Sequence, residues 1–218
     1  FPLVDSVVRR SFIATGGTVL ATKLALNYGI ACNTAGGSHH ATSNEGAGFC
    51  VFNDVAVAAK YLTSRGLANK ILIIDLDVHQ GNGNSEIFKN DNQVFTFSMH
   101  SKVNYPAKKS VSDLDIELEE NLEDREYIDI LKNNLKYLNE EEFDFVFYIA
   151  GVDIHYNDRL GKLKISDNGI FERDELVIDN FFSNKIPICG VLGGGYNEDF
   201  NKLVELHSSL HKTCAKFI

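Results

Sequence analysis

Apolar and polar positions along this chain follow two periodicities, and together they predict strands and helices in turn. Short apolar runs without a polar face indicate strands that are buried on both sides. Five such runs lie at residues 30–33, 71–74, 94–98, 143–150 and 186–192. Stretches with helical character lie at residues 15–28, 53–65, 83–88, 124–139, 168–182 and from 199 onward. Residues 101–112 are predicted to be irregular.

The alternation of these elements predicts a single α/β domain over residues 1–218. No internal repeat, linker or low-complexity segment interrupts it, and the chain is long enough to bury a sizeable core. The predicted fold is a three-layer, open and mainly parallel sheet with helices on both faces. Right-handed crossovers make parallel strands point the same way. The loops after the strands therefore meet at one edge, where open sheets bind ligands.

The segment ILIIDLDVHQGNG, residues 71–83, carries the clearest sign of chemistry. In a strand, Asp75, Asp77 and His79 would project to the same side. An ordinary alternative is a strand-to-helix connection in which an aspartate caps the next helix. That alternative accounts for one aspartate, but not for two aspartates and a histidine in alternation. The segment therefore predicts a metal or catalytic site.

Further polar clusters follow other predicted strands, at residues 39–40, 98–100, 153 and 193–196. Asp77, His79 and Asp153 would supply three oxygen and nitrogen ligands, as catalytic zinc sites do with one position left open. Each cluster has an ordinary interpretation on its own: a surface loop, a helix cap or a glycine turn. Their coincidence at one sheet edge is what predicts a site. Phosphate-binding and serine-hydrolase sites are disfavoured, because GxxxxGK[ST] and GxSxG are both absent.

The remaining polar residues at this edge suit catalysis beside a metal. A metal ion with an open position polarises a carbonyl and lowers the pKa of water. His39 and His40 would serve as general acid and base, and each needs a partner that fixes its tautomer. Asp75 and Asn82 are placed to be those partners. Tyr196, after three glycines, would donate its hydroxyl to a developing oxyanion.

Composition narrows the class of protein further. The net charge of −9 argues against non-specific nucleic-acid binding and favours a cationic partner, although an ordinary acidic surface explains it equally well. No apolar stretch approaches the length of a membrane span, and no signal peptide is visible. Four scattered cysteines without a CxxC motif predict reduced thiols in the cytoplasm or nucleus. Because the chain starts with Phe1 and its one methionine is Met99, we expect a processed form or a fragment.

Six segments, taken in order, resemble the zinc-dependent histone deacetylase family. They are GGSHHA, EGAGFCVFND, DLDVHQGNG, FSMH, YIAGVD with the following DRLGKL, and LGGGYN. The resemblance runs from about residue 11 to the last helix. A finer similarity to the class IV branch rests on TGGTVLA, HQGNG, NYP, DRLGKLKIS and RDELV.

The resemblance implies an arginase/deacetylase-type fold with one zinc ion held by Asp77, His79 and Asp153. It also implies that His40 is the general base and His39 its electrostatic or acid partner. The family further implies a structural potassium ion, bound through the backbone of residues 75–79 and through residues 98–99.

The same resemblance assigns the residues around this centre. Asp75 would pair with His39, and Asn82 stands where class I enzymes carry an aspartate, so His40 would be less strongly supported as a cation. Tyr196 would donate to the oxyanion.

The wall of the acyl-lysine channel is assigned to Gly48, Phe49 and Gly194, and Tyr105 is a further candidate. His155 departs from the family pattern; we expect a surface histidine, with a change to the channel rim as the alternative. Most of the family's N-terminal segment, which forms part of its sheet and rim, is absent from this chain.

Three functions remain open from the sequence. The first is zinc-dependent hydrolysis of acyl-lysine in peptides or proteins such as histone tails, without direct contact to nucleic acid or membrane. The second uses the same residues on acetylpolyamines or other small acylated amines. The third is a non-catalytic module that binds acyl-lysine. Acyl-chain length and oligomeric state are left open.

Overall fold

The computed structural model describes residues 4–217, which form one parallel sheet of six strands with helices between them. The strands are β1 (Ile30–Cys32), β2 (Ile71–Asp75), β3 (Val94–Ser101), β4 (Leu114–Leu118), β5 (Phe145–Ile149) and β6 (Ile188–Val191). The helices are α1 (Asp5–Tyr28), α2 (Asp54–Ser64), α3 (Asn82–Phe88), α4 (Asp124–Leu138), α5 (Asp167–Phe182) and α6 (Phe200–Cys214).

The strands lie in the order β1-β6-β5-β2-β3-β4, and every neighbouring pair is parallel. Alternate residues of β2 and β5 point into two separate cores, as the period of a strand requires. Ile73 and Phe147 pack with α1 and α2 on one face, whereas Ile74 and Tyr148 pack with α4, α5 and α6 on the other. The predicted three-layer fold is confirmed.

Strand β4 was not predicted from the sequence, although its pattern was available. Leu114, Ile116 and Leu118 alternate with acidic residues, the period of a strand with one face on the core. Leu118 is buried and Glu117 is exposed, as that pattern requires. The strand pairs with β3 at the edge of the sheet.

Helix α1 begins at Asp5 rather than at Thr15, and a glycine pair lies inside it. Glycine disfavours a helix interior, yet at Gly17 a Cβ would come within 2.9 Å of Nδ2 in the side-chain amide of Asn33. That amide donates to the Ala14 carbonyl at 3.1 Å and so joins the end of β1 to the helix. Among the helices of residues 4–217, α1 included, none is both long and apolar enough to span a membrane.

Strand β2 ends at Asp75, so the prediction that Asp77 and His79 continue its alternation is wrong. Beyond the strand the chain is supported by its own carboxylates. The Asp77 amide donates to Asp75 Oδ1 at 3.2 Å, and the His79 amide donates to Asp77 Oδ1 at 3.0 Å. Such bonds between an aspartate and the amide two residues later are typical of Asx turns. The orientations of Asp77 and His79 are therefore set by these hydrogen bonds in the loop and not by the period of a strand.

Candidate metal centre and active site

The loops after β2 and β5 bring three candidate metal ligands together. Asp77, His79 and Asp153 are buried, and their ligand atoms lie within 4.8 Å of one another. His79 Nδ1 is 3.0 Å from Asp77 Oδ1 and 3.0 Å from Asp153 Oδ2. Two carboxylates and an imidazole are ligands that zinc accepts, and a three-residue set leaves a position open. The residues present therefore fit a zinc ion.

The pKa values of the three candidate ligands show how strongly their charges interact. Burial by itself raises the pKa of Asp77, but His39 and His79 outweigh it and hold that pKa well below its usual range. Burial and the neighbouring charge of Asp77 raise the pKa of Asp153 to about 7. Burial would lower the pKa of His79, yet hydrogen bonds with Asp153 and Asp77 raise it to about 10. A divalent ion bound here would take over from the protonated His79 the role of balancing the two carboxylates.

Backbone amides fix the outer oxygens of both carboxylates. The Val78 amide donates to Asp153 Oδ1 at 2.9 Å, and the Gly194 amide donates to Asp77 Oδ2 at 2.6 Å. A Cβ at Gly194 would lie 2.2 Å from Asp153 Oδ2, so only glycine allows this approach. Gly194, predicted in the channel wall, is instead packed against the metal ligands, and the cavity described below does not include it.

The two adjacent histidines meet the partners that were predicted for them. His39 Nδ1 lies 2.7 Å from Asp75 Oδ2, and His40 Nδ1 lies 2.6 Å from Asn82 Oδ1. Because an amide oxygen only accepts hydrogen bonds, His40 Nδ1 carries the hydrogen and its Nε2 can accept a proton. The ring centroids of the two histidines are 4.1 Å apart.

Their surroundings push the two histidine pKa values in opposite directions. Burial would lower the pKa of His39, but Asp75 and Asp77 raise it to about 9. Burial, together with the positive charge of His39, lowers the pKa of His40 to about 3. At neutral pH the pair therefore consists of a cation and a neutral base. Titratable groups whose pKa values are driven apart in this way mark an acid and a base.

A cavity of about 420 Å³ opens onto this cluster. It is lined by His40, Gly48, Phe49, His79, Val103, Asn104, Tyr105, Leu160 and Tyr196. The structure thus places Gly48, Phe49 and Tyr105 on the wall, and the Tyr105 ring meets the His40 ring edge-on at 4.8 Å between centroids. Val103, Asn104 and Leu160 were not assigned to the wall from the sequence, although Asn104 lies in NYP and Leu160 in DRLGKL.

The turn at Gly48 and Phe49 forms one side of the cavity. Both residues have positive φ, +50° at Gly48 and +66° at Phe49. A Cβ at Gly48 would lie 2.2 Å from His40 Cδ2, so the ring packs directly on the backbone. The left-handed conformation of Phe49 is strained by about 1–3 kcal/mol, and such strain clusters at ligand sites. It holds the Phe49 ring 6.0 Å from the ring of Tyr196.

Tyr196 lies on the opposite side, its ring centroid 6.2 Å from that of His79. Burial, followed by the charges of Asp77 and Asp153, raises the pKa of Tyr196 above its usual range. The hydroxyl therefore remains a hydrogen-bond donor at neutral pH. The backbone amide of Tyr196 donates to Asp158 Oδ2 at 2.6 Å.

Two aspartates that sequence reasoning missed hold the catalytic loops. Asp158, in the segment DRLGKL, accepts from the amides of Leu160 and Gly161 at 2.9 Å as well as from that of Tyr196. Asp54 accepts from the Ser38 amide at 2.8 Å and so anchors the loop that carries the histidine pair. DRLGKL was a usable signal, whereas Asp54 resembles an ordinary first-turn residue of a helix.

His155 is buried, so the prediction of a surface histidine is wrong. Only 1% of it is exposed, and its Nε2 lies 2.9 Å from Asp167 Oδ1. The backbone of His155 also pairs with that of Ile165 in an isolated β-bridge. Within the described residues it does not line the cavity.

Comparison with known proteins agrees with this geometry. Residues 1–210 match the family described as histone deacetylase domain. An uncharacterized protein of Picosynechococcus sp. is 49% identical over 97% of this chain and 71% of its own length. Histone deacetylase 2 of Arabidopsis thaliana is 36% identical over 87% of this chain and 50% of its own length.

Solved structures give the same result. The structure of an HDAC homolog complexed with SAHA superposes with a TM-score of 0.80 at 28% identity, over 95% of this chain and 57% of that one. Acetylpolyamine aminohydrolase from Burkholderia pseudomallei gives 0.82 at 20% identity, over 96% and 63% of the two chains, and shares the fold.

The chain belongs to the histone deacetylase family of the arginase/deacetylase superfamily. This family is zinc-dependent, and the buried Asp-His-Asp group is where this chain would hold the ion. The chain spans 71% of the Picosynechococcus protein and half of the Arabidopsis one. The class IV branch and the potassium ion remain predictions.

Removing one carboxylate tests the metal centre directly. We expect the unaltered chain to carry about one zinc ion and Asp153→Asn to lose it on dialysis. The zinc affinity of Asp153→Asn should fall by more than the roughly 10–100-fold that is typical when a residue that supports a ligand is lost. Zinc per chain is measured by elemental analysis. Asp129→Asn, on the exposed face of α4, is the matched control. Equal zinc in all three chains would contradict the assignment.

Proposed function

We propose that this chain is a zinc-dependent deacylase that hydrolyses N6-acyl-lysine in peptides or proteins, releasing lysine and a carboxylate. The observation that carries the proposal is the convergence of a metal-ligand set, a split histidine pair and Tyr196 on one cavity. A cavity of about 420 Å³ lined by Phe49, Tyr105 and Leu160 suits an aliphatic acyl-lysine chain. Membership of the histone deacetylase family supports the same reaction.

The side chains of this protein divide the chemistry among them. When bound, zinc polarises the amide carbonyl and lowers the pKa of water. His40, neutral at physiological pH, accepts the proton of the attacking water at Nε2. Tyr196 donates its hydroxyl to the developing oxyanion, where a preorganised donor stabilises the transition state. His39, held as a cation by Asp75, favours negative charge nearby, and a protonated histidine delivers a proton to the leaving amine.

Loss of the Tyr196 hydroxyl tests this mechanism. We expect Tyr196→Phe to lower kcat on an acetyl-lysine peptide by about 10²–10³-fold, because one oxyanion donor is removed, while zinc content stays unchanged. A chelator should abolish activity of the unaltered chain, and added zinc should restore it. Tyr137→Phe, half-exposed on α4, is the matched control. Full activity in Tyr196→Phe, or activity that survives metal removal, would refute the mechanism.

The amide partner of His40 predicts a specific pH dependence. In Asn82→Asp a carboxylate replaces the oxygen that lies 2.6 Å from His40 Nδ1. The opposite charge raises the pKa of His40 from about 3, by about one to three units. Since a general base works only when it is neutral, the acid limb of kcat/KM should move to higher pH. Activity at mildly acidic pH then falls relative to the unaltered chain.

The measurement is kcat/KM on the acetyl-lysine peptide between about pH 4 and pH 9. Asn92→Asp makes the same change of charge at an exposed position outside the site. An acid limb that stays in place in Asn82→Asp, or that moves equally in Asn92→Asp, would contradict the role of His40.

An acetylated polyamine is the second candidate substrate. Two observations favour it. The net charge of −9 suits a polycation, and among residues 4–217 the cavity lining offers no acidic or basic side chain besides its two histidines to select a peptide. We compare kcat/KM for an acetyl-lysine peptide and for a monoacetylated polyamine. We expect the peptide to be preferred by about tenfold or more, a difference of about 1.4 kcal/mol. The opposite preference would replace lysine by polyamine as the substrate. If zinc binds and neither is hydrolysed, a non-catalytic acyl-lysine-binding role is favoured.

A further inference from the structure

One buried charged pair lies outside the catalytic set and touches both loops that carry metal ligands. Arg173 and Asp174, on α5 within the segment RDELV, are 0% and 1% exposed. Burying a charge is costly unless it is paired and hydrogen-bonded. The fully buried guanidinium of Arg173 therefore depends on the groups that it contacts.

The guanidinium binds backbone carbonyls just before two metal ligands. Arg173 Nη1 donates to the Gly151 carbonyl at 2.5 Å and to the Leu76 carbonyl at 3.4 Å. Leu76 immediately precedes Asp77, and Gly151 lies two residues before Asp153. One side chain thus joins the end of β2 to the end of β5, past the last residues of both strands.

A second layer of contacts holds the guanidinium itself. Asp174 Oδ1 accepts from Arg173 Nε at 3.0 Å and from Nη2 at 2.8 Å. The Tyr148 hydroxyl donates to the same oxygen at 2.6 Å, and Tyr148 lies on β5. Burial would lower the pKa of Arg173, but Asp174 outweighs it and raises that pKa above its usual range. The guanidinium is therefore a fixed cation.

We propose that Arg173 is a positioning residue of the metal centre, which sets the separation of Asp77 and Asp153 by binding the carbonyls before them. Only a planar fork can bind the two carbonyls and Asp174 at once, and the point charge of a lysine cannot. Outer contacts of this kind orient metal ligands and tune the affinity of the site. The proposal rests on the metal centre of the proposed function but not on its substrate.

The test compares metal binding in Arg173→Lys with that of the unaltered chain. We expect zinc affinity, measured by chelator competition without substrate, to fall by about 10–100-fold. We also expect the visible spectrum of the Co²⁺-loaded protein to change, because the ligand geometry is altered. A role in stability alone would leave that spectrum unchanged. Arg125→Lys, exposed on α4, is the matched control and should behave as the unaltered chain does.

A second variant guards against a failure to fold. Removing Arg173 alone would leave Asp174 buried without its partner, which is strongly destabilising. Arg173→Met combined with Asp174→Leu and Tyr148→Phe removes both charges and the hydroxyl that donates to Asp174. We expect this triple variant to fold, as circular dichroism will show, and to bind zinc about 10–100-fold more weakly.

Each other outcome overturns the proposal. Unchanged affinity and an unchanged Co²⁺ spectrum in a folded variant would show that Arg173 does not position the ligands. Failure of both variants to fold would make it a component of the core instead. Absence of zinc binding in the unaltered chain would refute the proposed function as well, whereas intact zinc binding without hydrolysis would refute only the reaction.

Discussion

The constraint on which this site depends is the burial of two carboxylates within reach of one imidazole. Asp77 and Asp153 are excluded from water, and His79 Nδ1 lies 3.0 Å from an oxygen of each. Negative charges so close in a medium of low polarity repel each other strongly. Positive charge beside them relieves this repulsion, and the surrounding contacts hold the carboxylates where a metal ion would bind.

The backbone does most of this holding. Amides of Val78 and Gly194 occupy the carboxylate oxygens that face away from His79. Gly151 and Gly194 leave no side chain where a Cβ would meet the ligands at 2.4 and 2.2 Å. These amides and glycines come from loops after three neighbouring strands, so their spacing is set by the sheet. The regular hydrogen bonding of the parallel sheet therefore fixes the distances between the loops and, with them, the positions of the ligands.

The same electrostatic field separates the two histidines into different roles. His39 lies against Asp75 and 3.8 Å from Asp77, and so it is held as a cation. His40 Nδ1 has the neutral amide of Asn82 as its partner, and the cation beside it opposes its protonation. Two identical side chains, adjacent in sequence, therefore become an acid and a base through their partners. An aspartate at position 82 would weaken this separation.

The sequence predicted the groups whose chemistry lies in the side chain, but not those that act on the backbone. Asp77, His79, Asp153 and the histidine pair could be predicted because packing alone seldom places those residue types together after buried strands. Apolar runs likewise located five of the six strands, because burial on both faces leaves no polar face. The role of Gly194 could not be predicted in this way, since it depends on which atoms surround its backbone.

Asp158 and Arg173 show why the roles of the other residues become visible only in the structure. Both are charged side chains that bind peptide groups far away in sequence, and a peptide group has no signature in the sequence. The segments DRLGKL and RDELV therefore marked that these residues matter without indicating their contacts. The burial of His155 was not predicted for the same reason, because its contacts with Ile165 and Asp167 lie ten or more residues along the chain.

On the proposed function, reaction and specificity would depend on different parts of this molecule. The ligands and the histidine pair are buried at strand ends, where a change of one atom disturbs several hydrogen bonds. Phe49, Tyr105 and Leu160 lie on exposed loops at the mouth of the cavity, where side chains can change without disturbing the sheet. On the proposed function, the kind of bond that is cleaved would follow from the sheet edge, and the choice among acylated amines would follow from the loops.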